Sequence, residues 1–280
     1  MARTLSTVTL GPLDRAGPEA TAASTPATLR RRWSRLSQAD RWALALLVTV
    51  PVVLNVPPAL LGRPVMDGDN LTQNYPLRVL SGELLRHGRL PLWDPYIWSG
   101  TPLLAGWNAG AMFPGTWLFA VLPGIAAWTV NLVLASVVCG VGLHLFLRRL
   151  GCSPLASFLG AATFTYTGFM TGQANHFGLI AGMSFAPWML LAIDELGERP
   201  GPRAARRWVA LLGACGGLVV LAGDPRSVSS VAIAVGIYCL AVCWRQRRRA
   251  RRWIRPFALA IAASIILAIG LSAVQWLPGL

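Results

Sequence analysis

Apolar runs of close to 20 residues recur along this chain, and the short segments between them are dense in arginine. A run of that length is what a helix needs to cross the hydrocarbon of a bilayer. Inside lipid, the backbone's polar groups must be satisfied within the segment, which leaves helices and closed barrels as the available folds. The runs here lack the alternation of barrel strands, so the pattern predicts an all-α polytopic membrane bundle. Composition agrees: 54% of the 280 residues are hydrophobic and 13% are charged, about half the charge of a soluble domain.

Seven spans are expected, at about 42–61, 126–147, 154–172, 178–193, 208–223, 228–244 and 256–276. A run at 113–122 is too short to cross and reads as a re-entrant or interfacial helix. All 25 basic residues are arginine. With the N-terminus inside, 20 of them fall in cytoplasmic segments and 5 outside, as the positive-inside rule requires. That placement accounts for the net charge of +14 without nucleic acid. Residues 1–38 are rich in Ala, Thr, Pro and Arg without hydrophobic periodicity and read as a disordered cytoplasmic tail. Residues 39–280 form the transmembrane domain, with a first extracytoplasmic loop at about 63–112.

That loop carries Asp67, Asp69, Glu83 and Asp94, four of the eleven acids in the chain. Leu77, Leu80, Leu84 and Leu85 form a stripe on a helix over about 77–89, which suits an amphipathic helix at the membrane surface. The following PLWDPYIWSGTP has prolines and aromatics suited to a headgroup-level belt. The same outer side receives Gln173, Asn175 and His176, then Asp224 and Arg226. Each also has a structural reading. Asp67 and Asp69 fit helix capping or solvation at the water interface, His176 fits a turn, and Asp224 before Pro225 fits an N-cap. Five cysteines lie in or at the ends of apolar runs without a CxxC pair, and Cys239 and Cys243 have no nearby His or acid, so they read as small core residues. No resident cofactor is indicated, and a role for a divalent metal stays open.

The stretch GDNLTQNYPLRVLSGELLRHGRLPLWDPYIWSGTPLLAG, residues 68–106, resembles the first outer loop of the bacterial YfhO family. The likeness lies in an acid, a Gln four residues on, a Tyr-Pro, and then G-x-L-P-L-W-x-P-Y-x-x-x-G-x-P-L-L-A. The Gly-Phe and His of FTYTGFMTGQANHFGLIAGMSFAPWMLLAIDEL support it. LAGDPRS departs from the family's Ala-Gly-His-Pro-Gln at 224–226. The resemblance implies a GT-C type membrane glycosyltransferase that takes sugar from a polyprenyl-phosphate donor, outside the cytoplasm, to a cell-envelope acceptor. Asp69 matches the proposed catalytic base, with Asp67 beside it. Arg78, His176 and Arg226 are the candidates for phosphate contact. It also implies that the chain is the N-terminal part of a longer protein. A non-catalytic scaffold and a transporter or flippase component remain as alternatives, though no span carries an acid or base near its middle, where coupling sites sit.

Overall fold

In a computed structural model the chain is described at residues 36–198, 202–247 and 251–279. The expected N-terminal tail therefore lies outside the described residues except for its last three. The helices, in chain order, are α1 (Gln38–Leu60), α2 (Tyr75–Arg86), α3 (Pro114–Trp117), α4 (Gly124–Arg149), α5 (Pro154–Thr165), α6 (Gly168–Gly172), α7 (Phe177–Met183), α8 (Ala186–Gly197), α9 (Pro202–Leu221), α10 (Pro225–Gln246) and α11 (Arg251–Trp276). A two-residue ribbon, β1 (Trp93–Asp94) against β2 (Thr101–Pro102), lies in the long loop.

The helix starts are written locally. Ser37 caps α1 in a reciprocal box with Asp40. Ser153 and Asp224 cap α5 and α10, each followed by a proline at the first helical position, where the missing N–H costs nothing. Among the described residues, six apolar stretches are long enough to cross a membrane, namely α1, α4, α7 with α8, α9, α10, and Trp253–Trp276 of α11. The protein is thus a multi-pass helical membrane bundle.

Side-chain contacts sort the helix ends into two groups. At one end Asp40 of α1 meets His144 (3.2 Å) and Arg148 (2.8 Å) of α4. Arg149 lies 3.1 Å from Asp194 and 2.8 Å from Glu195 of α8, and Arg245 of α10 lies 2.7 Å from Asp194. The Trp253 indole of α11 donates to the Gly197 carbonyl at 2.8 Å. At the other end the loop after α1 meets the turns before α7 and before α10, and Gln275 of α11 donates to the Leu104 carbonyl at 2.9 Å.

The expected third span departs from a continuous helix. Since α4 finishes and α7 begins at opposite ends, residues 150–176 must connect them, and they do so in pieces. The twelve residues of α5 reach about 18 Å. Thr167 then takes extended backbone and its hydroxyl accepts from the Met170 N–H, starting α6 afresh. A side chain that caps a new helix competes with continuation of the old one.

Two apolar clusters hold the described bundle. One gathers Met189, Ile193, Leu212, Val219, Trp253 and Phe257 between α8, α9 and α11. The other joins Phe119, Trp128, Phe177 and Leu221 and so fastens the long loop onto the helices. Helix α2 is part of that fastening. Its Leu77, Leu80 and Leu84 stripe, expected to face the membrane surface, packs on Leu103, Leu104, Ala109 and Ala111 of the same loop. Tyr75 and Val79 pack on the Phe119 and Trp128 side. The periodicity marks a buried face, and the chain's own return segment is what buries it.

Candidate active site at the loop end of the bundle

Asp69 opens a five-residue π-helical turn, Asn70–Asn74, that runs directly into α2. Such turns carry one more residue per hydrogen-bonded ring than an α-helix and recur at functional sites. Here the turn directs Asn70 inward, where it is 1% exposed. Its amide donates to the Ala174 carbonyl, while its oxygen accepts from the Phe177 N–H (3.1 Å) and the Asn74 amide (3.2 Å). Asn70 thereby clamps the 173–177 turn beside its own neighbour, Asp69.

The clamp sets His176 Nε2 3.1 Å from Asp69 Oδ2. The carboxylate is 55% exposed and the imidazole 22%. The acid is open to a hydroxyl from outside while the ring is held. His176 Nδ1 is buried and has no hydrogen-bond partner among the described residues, and the Asn175 side-chain oxygen is in the same condition.

A second acid closes the turn between α9 and α10. Asp224 Oδ1 accepts from the backbone N–H (2.8 Å) and Nε (3.1 Å) of Arg226, and Oδ2 accepts from Nη2 at 2.7 Å. Burial alone would raise the Asp224 pKa, but these bonds outweigh it and hold the carboxyl below its usual range. The guanidinium of Arg226 is half exposed and lies within electrostatic reach of Asp69. Asp67 is exposed two residues before Asp69. The structure therefore pairs Asp69 with His176, with Arg226 within electrostatic reach of the acid and Asp67 two residues before it.

Arg78 does not join them. It is fully buried in α2, donates to Thr116 Oγ1 and to the Ala222 carbonyl (3.0 Å), and stacks over the Phe177 ring at 4.7 Å. Burial pushes its pKa down to about 9, which leaves it charged at neutral pH. It bolts the loop to the α9–α10 turn. At that junction Gly223 has φ +88°, and a Cβ there would run into the Trp107 carbonyl oxygen, so only glycine permits the approach.

Next to His176 in the chain, Phe177 lines an apolar cavity of about 190 Å³ between α4, α7 and the start of α3, together with Phe113, Asn131, Leu134, Val138 and Phe185. Phe177 joins the two features, since its N–H is held by Asn70 and its ring walls the cavity. Leu134 of α4, one of the lining residues, is itself exposed, so the cavity's rim reaches the surface of the bundle. Among the described residues no group of three or more His, Cys, Asp or Glu is placed to hold a metal ion.

Sequence reasoning singled out Asp69, His176 and Arg226 one by one and missed Asn70 and Asn74, which hold the turn that sets Asp69 beside His176. A buried asparagine inside a polar loop carries no spacing signal. No family model, curated protein or solved structure matches the chain. Fold and site together define a polytopic helical membrane protein with a half-open acid–imidazole pair and an apolar cavity that share the neighbouring residue Phe177.

Proposed function

We propose that this protein transfers a sugar from a polyprenyl-phosphate donor to a hydroxyl of a cell-envelope acceptor, on the side of the membrane that carries the long loop. The observation that carries this reading is the Asp69–His176 pair at 3.1 Å, with its carboxylate half exposed. Asp69 takes the proton of the acceptor hydroxyl, and the oxygen attacks the anomeric carbon. The bond from that carbon to the phosphate oxygen breaks, and the lipid phosphate leaves with the bonding electrons. His176 on the second side of the carboxylate fixes its orientation, as an imidazole partner does for a general base. Arg226, beside the pair, compensates charge developing on the leaving phosphate.

Two further observations support a substrate with a polar head and a hydrocarbon tail. Phe177, which follows His176 and is held by Asn70, also walls an apolar cavity whose rim reaches exposed Leu134. The arginines crowd the opposite end of the bundle, at Arg148, Arg149 and Arg245, as expected for the cytoplasmic side. The likeness of residues 68–106 to the YfhO loop points the same way. The test is sugar incorporation into envelope polymer by cells that depend on this protein. Asp69→Asn and His176→Ala should abolish incorporation at normal protein levels; unimpaired incorporation by Asp69→Asn would remove the base from the mechanism.

A further inference from the structure

We infer that residues 90–98 form a wedge that inserts into the headgroup region of the leaflet on the loop side. The inference is independent of the catalytic reading.

The segment is a built hairpin. β1 pairs with β2, and the Leu103 N–H reaches the Leu92 carbonyl at 2.9 Å. Asp94 is buried, and its carboxylate accepts the Tyr96 N–H at 2.8 Å. The tip is a four-residue turn in which the Gly100 N–H returns to the Ile97 carbonyl at 2.8 Å. Trp98 and Ser99 occupy left-handed backbone at φ +53° and +67°. That conformation disfavours non-glycine residues, and strain of this kind persists where the surrounding structure holds it. The Trp93 indole lies across Gly100, where a Cβ would come within 2.6 Å of the ring.

This framework displays large apolar side chains that nothing among the described residues covers. Trp98 is 91% exposed and Tyr96 82%, with Leu90, Leu92, Trp93 and Ile97 also open. A contiguous exposed patch of this kind marks an interaction site.

Three features select the bilayer as the occupant. First, both ends of the segment are pinned where spans enter the membrane. Arg86, just before it, donates to the Ala120 (3.0 Å) and Phe119 (3.1 Å) carbonyls ahead of α4. Leu104, just after it, accepts from Gln275 in the last turn of α11. Second, tryptophan and tyrosine beside leucine and isoleucine is the composition of a headgroup-level belt. Third, the segment's one carboxylate is buried, while His87 and Arg89 at its base are exposed and complement lipid phosphate.

The test places p-benzoylphenylalanine at position 98, and separately at 96, in the otherwise native protein. The protein is reconstituted into vesicles of phosphatidylethanolamine and phosphatidylglycerol and photolysed. Both positions are exposed, so folding is retained, and helical circular dichroism checks it. The expected result is a covalent phospholipid adduct at 98 and 96 in intact mass, at several times the yield from the same probe at exposed Thr72. Equal yields at all three positions, no lipid adduct at 98 and 96, or crosslinking instead to a second copy would overturn the wedge.

Discussion

Arg78→Ala separates a structural bolt from a ligand contact. Truncation orphans the Ala222 carbonyl, which accepts from the guanidinium at 3.0 Å. A buried acceptor left unsatisfied costs about 1–3 kcal/mol. It also removes the charged bond to Thr116 and the stacking on Phe177 at 4.7 Å, a desolvated cation–π contact worth about 2 kcal/mol. Against these stands relief of the desolvation that pushes the arginine pKa down to about 9. The net expectation is a loss of about 3 kcal/mol, or about 10 °C in apparent Tm for a chain of this size. Arg78→Met loses the same hydrogen bonds and cation–π contact but fills most of the volume, so it should lose less than Arg78→Ala by the cost of the cavity. Thermal unfolding in detergent, followed by circular dichroism at 222 nm (an ordinary helix signal), reads both. Wild-type stability in Arg78→Ala would refute the bolt, and a Met variant that is stable but inactive would make Arg78 a substrate contact instead.

At the opposite end, Asp40→Ala strips the carboxylate from buried His144 and from Arg148 and removes the α1 capping box. It should cost about 3–5 kcal/mol in the same unfolding assay. Asp224 predicts a pH effect: its folded pKa is depressed below the ordinary 3.8, so its contribution is present above about pH 4 and lost as pH falls through the depressed value. Asp224→Asn should therefore be less stable at neutral pH and show a flatter acid limb below pH 4, read by unfolding across a pH series. Gly223→Ala drives a Cβ into the Trp107 carbonyl at φ +88° and should release the loop at a cost of about 2 kcal/mol or more, seen as faster tryptic cleavage after Arg89.

Helices α1, α4, α10 and α11 were legible in the sequence because hydropathy and flanking arginines report directly on a bilayer crossing. The break between α5 and α6 was not, because Thr167 and Gly168 sit inside a continuous apolar run and the capping bond to Met170 leaves no mark on hydropathy. The leucine stripe of α2 was legible as an apolar face and read as lying on the membrane surface, but periodicity cannot say what covers such a face, and here Leu103 and Leu104 do. Asp69 and His176 each stood out alone, whereas their pairing depends on Asn70 spanning to Ala174 and Phe177, a contact between distant segments. The enclosure of Arg78 was not legible, because an arginine in a polar loop is usually solvated, and only the fold shows the carbonyl and aromatic ring around it.

The most direct test of the catalytic account is transfer of labelled sugar from a polyprenyl-phosphate donor to an acceptor hydroxyl by the purified protein in proteoliposomes. The account predicts transfer by the wild type and a fall in kcat of about 10²–10⁴ for Asp69→Asn with its fold intact. Transfer by Asp69→Asn at the wild-type rate would contradict it.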